Sequence, residues 1–213
     1  MDYKLNISAK YGLHAKAQKA AAKNILKKFL AEMPEGTIGY IAGGAPRDWH
    51  HGWGCRDIDI FFRVPTDHDN DLAATLHLFT RYDRVHRKYH NYKYDGQGIM
   101  SVHEVPAAKF SNAKSIQYTN VQLIRVQDHP LKVIKDFPIS LSRIWMNPEG
   151  EVECDLWYRS GYNNYAIYEV NTKQYNYRYL EKILPRFSAY TYIPKYWTGS
   201  RPIEEQIKEH NNA

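Results

Sequence analysis

The sequence predicts an α+β fold: a small mixed β-sheet with helices on one side and a short helical C-terminal appendage. Three observations carry this. A long Ala- and Lys-rich stretch at 14–32 has apolar residues at helical spacing. Two short apolar runs, "TIGYIA" and "DIDIFFRV", flank a brief helical segment that begins after Gly43-Gly44. Later runs, "IQYTNVQLIRV" and "ISLSRIWM", add strands separated by another short helix. At 213 residues, 43% hydrophobic and 24% charged, the chain is long and apolar enough to bury a core.

In chain order, residues 14–32 read as an amphipathic helix through Ile25, Leu26, Phe29 and Leu30, ended by "MPEG". "TIGYIA" is a buried strand, residues 45–50 a short helix, and "DIDIFFRV" a strand with period-two alternation. "DHDNDLAATLHLFTRY" opens with capping residues and continues as a helix. Residues 83–115 lack clean periodicity and read as a loop-rich insertion. "IQYTNVQLIRV" is the third strand, "HPLKVIKDF" a helix and "ISLSRIWM" the fourth strand. The turn "PEGEV" then leads into a hairpin partner, "VECDLWY". A helix around 175–187 and a Pro-, Tyr- and Trp-rich tail complete the chain, which divides at about residue 160.

The formal net charge of +6 leans towards anionic partners without establishing nucleic-acid binding. Two cysteines, Cys55 and Cys154, exclude a Cys-rich zinc site and are expected of a reducing cytosol. The N-terminus has no apolar signal-like region, and no run of about 18 apolar residues occurs, so a cytoplasmic protein with no membrane contact is expected.

The chemistry concentrates in "YIAGGAPRDWHHGWGCRDIDIFF", residues 40–62. On a strand, Asp57 and Asp59 point to one face while Ile58 and Ile60 enter the core. Two parallel carboxylates repel and are neutralised by a divalent cation; hard oxygen ligands suit Mg²⁺ or Mn²⁺. Gly43-Gly44, between strand and helix, lets backbone N–H groups approach a phosphate, with the helix N-terminus adding a favourable dipole. Each piece has an ordinary alternative. An Asp pair also suits a solvated strand face, a Gly pair a turn, and Arg47-Asp48 a surface ion pair. The ordered set is far more specific than its pieces.

With "GGAPRD" followed by "RDIDIFF", the chain resembles the nucleotidyltransferase superfamily typified by DNA polymerase β. It is most similar to the branch of tRNA CCA-adding enzymes and poly(A) polymerases, and the arrangement also resembles small phage nucleotidyltransferase-like proteins. "KDFPISLSRIW", residues 135–145, is similar to a second motif of that branch, with Asp136 and Phe137 matching. The resemblance covers roughly residues 36–160. It implies a nucleotidyltransferase domain over 1–160, followed by a helical, basic and aromatic appendage over 161–213. It also implies transfer of a nucleoside monophosphate from an NTP to a hydroxyl, possible acceptors being RNA or a tRNA 3′ end. Asp57 and Asp59 would be the catalytic metal ligands. Gly43, Gly44, Arg47 and Asp48 would lie along the nucleotide, and Asp136 would place its ribose or base. The family's third acidic position falls on Gln122, whose amide oxygen can coordinate but brings no charge. Asp155 is a candidate substitute, in competition with Glu153. The missing carboxylate defines the alternative function, a catalytically impaired module that binds nucleotide, nucleic acid or a host protein.

Other clusters are weaker. His50-His51 diverge on a helix, His86 and His90 lack a third ligand, and "DHDND" at 67–71 reads better as capping than as a calcium loop. The basic and aromatic stretch 173–197 places Arg178, Lys182 and Arg186 on one helix stripe, with Tyr190, Tyr192, Tyr196 and Trp197 after it. Cations and rings in this arrangement suit single-stranded nucleic acid; a solvated helix face is the plainer alternative, and a helix reaching over the cleft to the nucleotide a third.

Overall fold

The structure is a computed structural model and describes residues 3–4, 12–65, 98–171 and 177–194. The helix expected over 67–82, His86, His90, Tyr196 and Trp197 lie outside the described residues.

The described chain runs through β1 (Tyr3–Lys4), α1 (Leu13–Ala31), β2 (Ile38–Ala42), α2 (Gly44–His50), β3 (Asp57–Arg63) and β4 (Ile99–Pro106). It continues with β5 (Asn120–Val126), α3 (Pro130–Lys135), β6 (Ile144–Met146), β7 (Val152–Cys154) and α4 (Leu156–Asn163). Last come β8 (Ala166–Tyr168), α5 (Tyr177–Ile183) and β9 (Thr191–Ile193). Seven strands form one sheet in the order β1-β7-β6-β2-β3-β5-β4, and β8 and β9 pair separately. The sheet is mixed because β3 and β5 run parallel while the other pairs are antiparallel. The expected α+β class is therefore realised.

Alternation along β3 divides the core. Ile58, Ile60 and Phe62 face one side, where α1 lays Ala22, Ile25, Leu26 and Phe29 against them. Phe29 and Phe62 meet edge to face at 5.0 Å, a favourable geometry for two rings. Truncating such a buried Phe to Ala costs about 3–5 kcal/mol. The apolar half of the opposite face, Phe61, Ile124 and Trp145, is covered by Val133 and Ile134 of α3 and by Phe137. Helical cover is thus not confined to one side. Leu180, Ile183 and Phe187 belong to the same core as α1, so the described C-terminal residues pack into it.

Three local expectations change. Residues 99–106 of the supposed insertion form β4, paired with β5 from Ile99 to Pro106; a register shift between Ile99 and Ser101 breaks the alternation. In "ISLSRIWM", Ser140–Ser142 form a 3₁₀ turn and only Ile144–Met146 are strand. "CDLWY" is not strand: β7 stops at Cys154, and Asp155 caps α4 by accepting the Tyr158 N–H at 2.9 Å.

Candidate active site

The parallel pairing of β3 with β5 places Asp57 opposite Asn120 and Asp59 opposite Gln122. The antiparallel pairing of β5 with β4 then sets Gln122 opposite Glu104. Residues opposed in this way share a sheet face, so Asp59, Gln122 and Glu104 form one row across three strands. Asp57, two residues from Asp59, shares that face. Asn120 fixes Glu104 by donating from Nδ2 to its Oε1 at 2.6 Å.

Gly43 faces this row from the end of β2. Its backbone (φ 74°, ψ −121°) lies in a region that only glycine occupies without strain. A Cβ there would meet Asp59 Oδ2 and Phe137 at 3.9 Å. The glycine therefore keeps the space between loop and carboxylate clear, as the sequence pattern requires.

Burial pushes the Asp59 carboxyl up to about 7, with repulsion from Asp57 next and from Glu104 smaller; Lys182 and Arg47 pull the other way. Lys182, exposed on α5, thus acts on Asp59 rather than on a remote surface.

The remaining predicted residues are distributed more widely. Arg47 and Asp48 are buried, joined to each other at 2.9 Å and 3.0 Å. Burial works against the Arg47 charge, but Tyr179 and Asp48 more than offset it and hold its pKa above the ordinary value. Asp136 ends α3 beside Phe137, whose ring borders Gly43, so the second motif reaches the site. Asp155 bonds Arg143 at 3.0 Å and caps α4, which occupies both of its oxygens. Glu153 lies on β7, three strands from Asp59, and accepts from the Trp145 indole at 3.3 Å. Arg186 pairs with Asp48 at 3.0 Å. The side chain of Arg178 lies outside the described residues. His50 and His51 diverge as expected, to the Tyr158 and Tyr190 hydroxyls at 2.7 Å and 3.0 Å. Burial raises the Cys55 thiol to about 12, too high for a thiolate nucleophile near neutral pH.

Two participants were not singled out from the sequence. Glu104 joins the acidic row from a segment read as loop. Tyr179 reaches the Arg47 guanidinium at 3.1 Å from 132 residues away, a separation that no local pattern encodes.

The fold that carries the row of Asp59, Gln122 and Glu104 has counterparts among solved structures. A Thermotoga maritima CCA-adding enzyme complexed with tRNA matches 98% of this chain with a TM-score of 0.52 and 12% identity. A CCA-adding enzyme with ATP matches 100% with a TM-score of 0.55 and 14% identity. An apo form matches 99% with a TM-score of 0.55 and 12% identity. This chain has the nucleotidyltransferase head fold of CCA-adding enzymes. It covers 45%, 45% and 47% of those chains, less than half of their length. No family model matches the sequence, and no curated protein matches it.

Among the described residues, no three His, Cys, Asp or Glu side chains converge to hold a metal ion. Beside Gly43 stands Asp59, with Asp57 two residues away on the same face and Gln122 opposite Asp59 on β5. Asp57 and Asp59 nevertheless fit a divalent cation. They share a face, and the repulsion from Asp57 that helps to raise the Asp59 pKa is one that a cation would relieve.

Proposed function

We propose that this protein transfers a nucleoside monophosphate from an NTP to a hydroxyl acceptor, releasing pyrophosphate. The observation that carries the proposal is the pair of aspartates on one face of β3, with Asp59 beside the Gly43 turn. Phosphoryl transfer requires mainly positioning and charge neutralisation, and both belong to this arrangement.

Asp57 and Asp59 would hold Mg²⁺ or Mn²⁺, which supplies charge neutralisation at the transferring phosphate. Gly43 lets the chain pass close to the polyphosphate. Lys182 offsets negative charge from the α5 side. Asp136 and Phe137 border the loop where ribose or base would lie. Glu104 adds negative charge to the row at the strand beyond Gln122, partly replacing what the amide lacks.

RNA, with a tRNA 3′ end as the specific case, is the proposed acceptor. The net charge of +6 and the relative solved with tRNA support it. Gln122 favours the alternative, a module that binds nucleotide or nucleic acid without turnover. Incubation with α-labelled NTPs, Mg²⁺ or Mn²⁺ and total RNA distinguishes them. Label moving to RNA in the wild type but not in Asp59→Asn supports transfer. NTP binding without label transfer supports the binding module, and neither binding nor transfer contradicts both.

A further inference from the structure

The guanidinium expected to meet phosphate faces inward. Arg47 is 4% exposed and Asp48 3%. Arg47 donates to Asp48 Oδ1 through Nε and Nη2, and Arg186 donates to Asp48 Oδ2 at 3.0 Å. Tyr179 accepts from Arg47 Nη1 at 3.1 Å and shares a 2.6 Å hydrogen bond with Ser142, next to β6. Phe187 lies under the Arg47 guanidinium and Trp53 under that of Arg186, each 5.3 Å from the ring centre. Tyr190 holds His51 at 3.0 Å, and the other ring nitrogen of His51 contacts the Arg47 carbonyl at 2.9 Å.

These contacts continue to the aspartates. A Cβ on Gly44 would lie 3.6 Å from Arg47 Nη2, so the guanidinium runs alongside the turn, and the Arg47 N–H donates to the Gly43 carbonyl at 3.4 Å. Gly43, the next residue, borders Asp59. One path thus runs from Arg186 through Asp48 and Arg47 to Gly44, Gly43 and Asp59.

We infer that Tyr179 and Arg186 are positioning residues: the C-terminal segment clamps the Gly43-Gly44 loop at the spacing from Asp59 that an NTP polyphosphate requires. The inference rests on the nucleotide-binding reading of the site. Its physical basis is that the backbone ties of the loop, from Gly43 N–H to the Ile144 carbonyl at 3.2 Å and from Arg47 N–H to the Gly43 carbonyl at 3.4 Å, leave the far side of α2 to be fixed by other residues. The helix after it, α2, has seven residues, too few to be stable alone. Glycine is the least conformationally restrained residue. Neighbours on a helix do not face each other, so the Arg47-Asp48 pair needs outside partners to fix its geometry. Removing one partner from such a buried network leaves charge uncompensated next to the loop. The Arg186 side chain is 41% exposed, so a replacement there remains solvated and leaves the core intact.

The test measures amide hydrogen exchange and ATP binding with Mg²⁺ by calorimetry, in the wild type, Arg186→Gln, Arg186→Lys and Tyr179→Phe. The clamp predicts exchange over residues 43–48 about tenfold faster in Arg186→Gln and Tyr179→Phe, with α1 and β3 unchanged. ATP affinity should fall in the same variants, and Arg186→Lys should recover both. Unchanged exchange at 43–48, or acceleration spread evenly through α1 and β3, overturns the clamp. Acceleration confined to 43–48 when wild-type protein binds no ATP supports the clamp and removes the nucleotide reading.

Discussion

At Gly43 the structure asks for an absent side chain. With φ at 74° the backbone disfavours any L-residue, although a Cβ would make only ordinary contacts with Asp59 and Phe137. Gly43→Ala should destabilise the protein by about 1–3 kcal/mol and weaken NTP binding, read by denaturant unfolding and calorimetry. Asp59 carries the opposite demand, a charge that burial and Asp57 resist. Its folded pKa, about 7, exceeds the unfolded value near 3.8, so the native state holds the extra proton between them. Without a cation, stability therefore falls as pH rises across that interval and stays reduced above it. Asp59→Asn, which cannot ionise, should melt higher than wild type at pH 8 by several degrees and show little difference at pH 4. Equal melting temperatures at pH 8 would mean that Asp59 is solvated and unstrained.

Among elements, α4 shows how one residue type serves two purposes. Asp155 stands at the start of the helix, accepting one N–H and one guanidinium, and contributes order rather than charge at the active site. Asp155→Ala should cost about 1 kcal/mol for the cap, and more because Arg143 loses its partner. NTP affinity should be unchanged; a fall in affinity without a fall in stability would reassign the residue. The same element shows what was legible. "DIDIFF" announced β3 because period two is a local pattern, and the Gly-Gly turn was legible because glycine has few substitutes at positive φ. The strand attributed to "CDLWY" failed because an Asp N-cap resembles the polar position of an alternating strand. Residues 99–106 were opaque because a bulge interrupts their alternation and β4 sits at the sheet edge. Glu104 was lost with them. The clamp was opaque for another reason: Arg186 and Tyr179 meet Asp48 and Arg47 across more than a hundred residues, where sequence carries charge but no address.

On the scale of the whole molecule, one sheet face separates stability from chemistry. Its apolar half lies under α3, and its polar half runs from Asp57 to Glu104, with Asp59 beside the glycine loop. The C-terminal segment packs into the core and sends Lys182 towards the aspartates, so the predicted appendage contributes to the same centre. The chain covers less than half the length of the solved CCA-adding enzymes that it matches. The central claim is that this row is a cation and polyphosphate site. It is tested most directly by titrating Mn²⁺ with ATP into the wild type and Asp57→Asn/Asp59→Asn at about pH 6 and about pH 8, because carboxylate ligands must be deprotonated to bind. Binding by the wild type alone is expected, tighter at the higher pH as Asp59 ionises. Equal binding by the double variant, or binding insensitive to pH, would contradict it.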